Sequence, residues 1–315
     1  MSAYEGAAAR RPTACQQAAL RQAATRQAVP GGTEGPHAAL AALAAHGPRY
    51  HLGLGAPPPG GTGWLAADRL LDPYGPELSR LLDTEHQGSG HRTAHAAALT
   101  LIAVYAGRVT AAAVLHWALT GHVLDVRPEN VLLRPDPGHG IAEVRLRTLR
   151  TVDAPGTGPE TGTGMGTDGL GGLDGSGGPG DGTGPYRPNV TVRALQNTVL
   201  TRHLLPLADA LRERTHAGLR QLRGGVAHGC ATALGASRAD PALLARRWAV
   251  FLDGAPGGLA ALGDVVTVTR RDGSPRLVYL RRTCCLFYTS AEAVRCMSCC
   301  LTSRDERIAA YGARP

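Results

Sequence analysis

One segment decides how the rest of this chain can be organised. From Pro155 to Pro185 nearly every second position is Gly, and no apolar run interrupts the tract. Such a tract buries too little surface to offset the entropy of ordering it. The segment 155–186 therefore reads as a flexible linker or loop. It is not a phosphate-binding loop, because no strand leads into it and no Lys follows. A folded core must be built from what lies on either side. The span 1–154 reads as a helix-rich N-terminal region with a β-hairpin, and 187–280 as a helical region ending in a second hairpin. A cysteine-bearing segment over 281–303 and a tail over 304–315 complete the chain.

Composition narrows the chemistry. The chain has 315 residues and 33 Lys+Arg, and every one of those 33 is Arg. Without Lys there is no P-loop lysine, no Schiff-base nucleophile and no strand lysine to hold ATP phosphates. Arg cannot stand in as a nucleophile, because its pKa is too high. The charge is uneven. Residues 1–190 carry 15 Arg against 16 acids (15 − 16 = −1), whereas residues 191–315 carry 18 Arg against 9 acids (18 − 9 = +9). Apolar content is 43% but aromatics only 4%, and Ala supplies much of the remainder, which suggests closely spaced helices. The N-terminal stretch 1–15 shows no apolar run of signal-peptide type. No window reaches about 18 apolar residues without a break. These features predict a soluble, cytoplasmic protein.

The element pattern is α+β and predominantly helical, with short antiparallel hairpins. Helices are predicted over 14–28 and 37–46, separated by Pro30-Gly31-Gly32. The segment 51–63 reads as loop, 64–86 as two short helices, and 91–121 as the longest helical run with a break near Gly107. Val131–Leu133 and Ile141–Leu146 flank a Pro-Asp-Pro-Gly turn and read as a hairpin. Helices are expected again over 191–218 and 240–252, the latter opened by Asp240-Pro241. The run 265–280 forms a hairpin around Asp272-Gly273.

The most specific feature is a group of cysteines. Cys284, Cys285, Cys296, Cys299 and Cys300 stand close together near the C-terminus, while Cys15 and Cys230 lie elsewhere. In a reducing compartment such clustering favours metal ligation over disulfides. Cys296-x-x-Cys299 lets two thiolates converge from one tight turn. The adjacent pair Cys284-Cys285 needs a kinked backbone, or its members must serve different metal ions. An iron–sulfur cluster and zinc are the occupants this donor set suits. Zinc knuckles usually pair two Cys-x(2–4)-Cys turns, often with His. Here the first half is Cys-Cys and no His lies within the group, which favours iron–sulfur. Arg281, Arg282 and Arg295 flank these residues and would offset the negative charge of a thiolate cluster.

The run Arg281-Arg282-Thr283-Cys284-Cys285-Leu286-Phe287-Tyr288, followed by Cys296-x-x-Cys299, resembles the C-terminal signature of the FhuF-like ferric siderophore reductases. The resemblance is close over this short C-terminal stretch alone. Upstream, the helical body, including Leu219–Leu234, is only loosely similar and also resembles the C-terminal region of aerobactin-type siderophore synthetases. The match implies a small C-terminal segment in which Cys284, Cys285, Cys296 and Cys299 bind a [2Fe–2S] cluster. Cys300 stands where the family commonly has proline and is the alternative fourth ligand; the two-residue gap favours Cys299. The implied activity is one-electron reduction of a ferric siderophore, releasing ferrous iron in the cytoplasm. The implied partners are that substrate and an electron donor such as a ferredoxin or flavoprotein reductase, with room for peripheral association with a membrane. A non-enzymatic electron carrier or redox sensor, or a zinc-stapled siderophore-related binding module, are the competing readings.

Other features carry less. His122 to Asn130 has the Asp–Asn spacing of a kinase catalytic loop but lacks the companion lysine and Asp-Phe-Gly, so it reads as a turn into a strand. His91 and His95 stand i,i+4 and could share a metal, yet read as ordinary helix histidines. His228 and Cys230, which follow Arg223-Gly224-Gly225, lie near where a substrate cleft would assemble, and a structural role is the simpler reading. The basic half lacks the aromatic stacking residues of a nucleic-acid binder.

Overall fold

The computed structural model describes residues 36–152 and 188–313. The helix predicted at 14–28, Cys15 and the Gly-rich tract over 155–186 lie outside them. Helices α1 (Pro36–Ala44), α2 (Pro76–Ser89), α3 (Ala94–Val109) and α4 (Ala111–Thr120) come from the first half. From the second come α5 (Pro188–Leu195), α6 (Leu205–Thr215), α7 (Leu219–Gly235), α8 (Pro241–Leu252) and α9 (Arg304–Gly312).

The two halves meet along α3 and α7, the most extensive helix–helix contact in the fold. Glycine makes that approach possible. A Cβ on Gly225 would lie 2.5 Å from the Ile102 side chain, and one on Gly229 would lie 2.6 Å from the Gly107 nitrogen and 2.8 Å from the Ala103 carbonyl. Alanines 97, 98 and 106 of α3 and 227, 231 and 233 of α7 are all buried. This is how an Ala-rich, aromatic-poor sequence reaches core density. Gly107, the expected break in the 91–121 helix, serves this contact instead. The break falls at Thr110, whose hydroxyl donates to the Ala106 carbonyl at 2.8 Å, and the chain bends there by 44°.

Two small sheets complete the α+β architecture. In the first, β3 (Val131–Pro135) and β4 (Ile141–Leu146) form the expected antiparallel pair. The sheet is mixed, however, in the order β1-β4-β3-β2. β2 (Leu65–Ala66) is antiparallel to β3, and β1 (Gly53–Leu54) runs parallel to β4. β1 lies inside 51–63, a segment that reads as loop in the sequence; so short a strand has no alternation to read. β5 (Gly263–Thr269) and β6 (Pro275–Arg281) form the second hairpin, closed by Gly273 at φ 79°. Asp240 caps α8 as expected, accepting from the Ala242 and Leu243 nitrogens. Between α5 and α6 the helix widens into a π-helical stretch, Gln196–Leu204. It ends just before Pro206, which cannot donate the next helical hydrogen bond.

The kinase-like run is a latch between loop and sheet. Asn130 Nδ2 donates to the carbonyls of Asp125 (2.7 Å) and Thr148 (2.9 Å), while its Oδ1 accepts from the Thr148 nitrogen at 3.0 Å. Burial opposes ionisation of Asp125, but the Arg127 fork at 2.8 and 2.7 Å and the nearby Arg150 outweigh it and hold the carboxyl below its usual range. Among the described residues no single helix is long and apolar enough to cross a membrane. The bent pair α3–α4 passes that test jointly, and its side chains are mostly buried in the protein.

His203 is fully buried. Its Nδ1 donates to the Val126 carbonyl (2.6 Å), so Nε2 must accept from the Tyr105 hydroxyl (2.7 Å). Burial lowers its pKa to about 4, and burial likewise lowers His116 to about 4. Both are neutral when folded, so their contribution to stability is complete above the ordinary value of 6.5. It is lost progressively as the pH falls from there toward about 4, which thermal melts across that window will show as a declining midpoint. Tyr105→Phe leaves Nε2 without a donor and should cost about 1–3 kcal/mol in urea unfolding. Gly229→Val should cost about 1–3 kcal/mol or more by overpacking the α3–α7 contact.

Candidate metal centre

All five clustered cysteines lie in one loop segment that follows β6 and ends at the capping box of α9, where Ser303 and Glu306 bond reciprocally. β6 delivers the chain from the core. A short 3₁₀ turn, Phe287–Thr289, then folds it back, entered through Leu286 at φ 57° just after the adjacent cysteines. A second turn, in which the Cys299 nitrogen donates to the Cys296 carbonyl at 2.9 Å, forms the Cys-x-x-Cys half.

The sulfurs of Cys285 and Cys296 stand 3.6 Å apart. Metal–thiolate bonds of about 2.3 Å in a tetrahedral shell put neighbouring sulfurs about 3.8 Å apart, so this pair has the spacing of two ligands on one ion. It also departs from the simplest expectation, since the convergence is between the two halves of the motif rather than within Cys-x-x-Cys. Cys285 and Cys299 are buried, while Cys284, Cys296 and Cys300 are half-buried, and all five are free thiols. Among the described residues, no three Cys, His, Asp or Glu side chains converge on one metal-sized point. Of the predicted ligands, the fold thus gathers Cys284, Cys285, Cys296 and Cys299 into one loop and brings one pair to ligand spacing. Cys300 lies there as well.

The electrostatics suit a thiolate-bound group. Cys296 donates its thiol proton toward Cys285, which ionises the more readily of the two; Arg281 and the Phe287 nitrogen reinforce that order, and Cys296 is pushed up in consequence. Burial raises Cys284, with a further push from the charge on Cys285, Cys300 and Cys299. Its sulfur accepts from the Leu286 nitrogen at 3.4 Å. Arg281 is 2% exposed, and its Nε and Nη2 have no hydrogen-bond partner. An unpaired buried guanidinium costs free energy unless negative charge arrives beside it. Arg282 and Arg295 do not share this role. Arg282 is exposed and bonded to Asp264 at 2.9 and 3.0 Å, and Arg295 is exposed. The donor set and the orphaned cation therefore fit an anionic thiolate-held group, although the four sulfurs are not drawn into one shell.

Histidine anchors the loop from outside the motif. His91 is not on a helix face with His95, because Thr93 caps α3 and starts the helix after it. Its Nε2 meets the Thr100 hydroxyl at 2.9 Å and its Nδ1 the Thr289 hydroxyl at 3.3 Å. The Arg92 nitrogen donates to the Thr289 carbonyl and the Ala291 nitrogen to the Ser89 carbonyl. Gly90, at φ 61°, passes so close to Ala291 that a Cβ there would lie 2.8 Å from it. Sequence reading misses this clamp, because its two sides come from opposite ends of the described chain.

A cleft of about 440 Å³ opens beside the cysteine loop, lined by Arg49, Arg108, His139 and His228 among others. His139 pairs with the buried Glu85 at 2.8 Å, and that bond lifts its pKa above the ordinary imidazole value against the effect of burial. Its ring lies 6.4 Å from that of Phe287, two positions beyond Cys285. Burial, then Arg281 and Arg49, drive His228 well below its ordinary value. Arg281 thus acts electrostatically on both the cysteine pair and the cleft. Cys230, in contrast, is a core thiol, pushed up to about 12 by burial.

No protein-family model matches this chain, and a search of curated proteins found no match.

His91→Ala should free the loop without touching a cysteine. The expected result is faster hydrogen exchange over Phe287–Ala293 by mass spectrometry, and a loss of about 1–3 kcal/mol from the lost bonds to Thr100 and Thr289.

Proposed function

We propose that the protein is a ferric siderophore reductase of the cytoplasm, with a [2Fe–2S] cluster held by Cys284, Cys285, Cys296 and Cys299. The observation that carries this reading is the Cys285–Cys296 pair at 3.6 Å beside the orphaned Arg281 guanidinium. Bound there, the cluster would supply single electrons at a potential set by nearby charge and hydrogen bonds. Arg281 supplies that charge, and the Leu286 and Phe287 nitrogens donate to the sulfurs of Cys284 and Cys285. Buried Cys285 and Cys299 exclude water from the interior side of the loop.

The substrate's chemistry asks little else of the protein. Ferric iron in a hydroxamate or catecholate chelate is a hard ion held by hard oxygens. One electron converts Fe(III) to Fe(II), for which the same oxygens have far lower affinity, and the chelate releases it. No nucleophile or general base is needed. The electron comes from a ferredoxin or flavoprotein reductase. Zinc fits the pair spacing equally well, but a closed-shell ion leaves the electron-transfer reading without a carrier.

Anaerobically purified protein should be red-brown and contain about two iron and two sulfide per chain; colourless protein with stoichiometric zinc would exclude the proposal. Cys285→Ser and Cys296→Ser should each abolish the colour, whereas Cys300→Ser should keep it; the reverse for Cys299 and Cys300 would exchange the fourth ligand. Dithionite-reduced protein mixed with ferric siderophore and a ferrous trap should yield Fe(II) above the protein-free rate. A coloured protein that yields none is an electron carrier or sensor instead.

A further inference from the structure

We propose that the cleft between α3, α7 and β4 is the substrate seat, and that it takes an anionic, carboxylate-bearing chelate of ferric iron. The iron in this statement rests on the reductase reading; the anion rests on the cleft itself. None of the residues lining the cleft is acidic, whereas Arg49 and Arg108 both face it, beside His139, whose charge Glu85 balances. Arg49 and Arg108 are half-buried, and their observed bonds are to backbone carbonyls. Arg49 donates Nη1 to Thr232 at 3.1 Å, and Arg108 donates Nη1 to the carbonyls of Arg49 and His51 at 3.0 and 3.1 Å. No carboxylate described lies within ion-pair distance of either; Glu143, which faces Arg108, is already engaged by Arg134.

Each guanidinium therefore keeps free donors and an unneutralised charge in a recess partly withdrawn from water. A carboxylate is the group whose two oxygens match such a fork. A neutral ligand would bury the charges uncompensated, and a cationic one would add to them. Val104 and Ile141 supply an apolar wall, so the cleft combines a few polar groups with apolar contact, as small-molecule sites do. The volume suits a compact chelate or one arm of a larger one. The site adjoins the proposed electron source, because the His139 ring packs beside Phe287 and Arg281 acts on both His228 and the Cys285–Cys296 pair.

Titration calorimetry with gallium(III) citrate, a redox-inert carboxylate chelate, tests this on the full chain. The expected result is saturable binding that weakens with salt, and at least tenfold weaker binding in Arg49→Gln and in Arg108→Gln. Ala142→Trp, which fills the cleft and leaves every charge in place, should abolish binding while circular dichroism shows it folded. The cationic gallium complex of desferrioxamine B should bind at least tenfold more weakly than the citrate complex. Absence of binding, binding indifferent to all three variants, equal affinity for the cationic complex, or inorganic phosphate binding as tightly would each overturn the inference. Binding without Fe(II) release in the trap assay would instead overturn the reductase reading and leave the anion seat standing. Fe(II) release from hydroxamate chelates without gallium citrate binding would do the converse.

Discussion

The fold depends on one close approach, that of the α3 and α7 backbones. An Ala-rich chain with few aromatics cannot fill wide gaps between helices. It must bring them near enough for small side chains to meet, and Gly225 and Gly229 remove the atoms that would prevent this. Everything functional is referenced to that contact. α7 carries His228 and Thr232 to the cleft, and α3 carries Arg108 and Val104. β6 lies against α7 and delivers Arg281 and the cysteines. Its tightness is visible at Gly224, where a Cβ would collide with the hydroxyl of Thr283, the neighbour of Cys284.

Charge follows a similar economy. The second half of the chain carries an excess of Arg, yet most of those residues are exposed or ion-paired. Arg282 is held by Asp264, and Arg202 reaches Glu129 at 3.5 Å. What separates Arg281 from them is burial without a partner. Two further arginines, Arg49 and Arg108, share its lack of a carboxylate, and both come from the half whose net charge is near zero. Regional charge counts are therefore a poor guide to where the uncompensated positive charge lies; desolvation and the absence of a neighbouring acid mark it.

The parts of this arrangement legible in the sequence are those with short-range causes. Asp240-Pro241 opens a helix because a cap and a fixed φ act locally. Asp272-Gly273 closes a hairpin because a positive φ is a local demand. The cysteine loop is readable as one unit because its residues are neighbours in the chain. Hidden from the sequence are β1, which pairs with a strand far along the chain, and His91, whose spacing to His95 suggests a shared helix face until Thr93 places the helix start between them. Arg49 is equally unreadable, since what gives it meaning is the distant Thr232 carbonyl. The Gly225–Gly229 spacing is present as a signal of close helix contact, but the sequence does not name the partner helix.

The cleft draws its walls from Arg49, Val104, Ile141 and His228, on both sides of the Gly-rich tract. No continuous fragment from one side of that tract contains all of these walls. The site comes into existence only when the two halves close on each other, so assembly of the fold and competence to bind are a single event. Any ligand that occupies the cleft must in turn hold the halves together, by an amount set by its concentration relative to its dissociation constant.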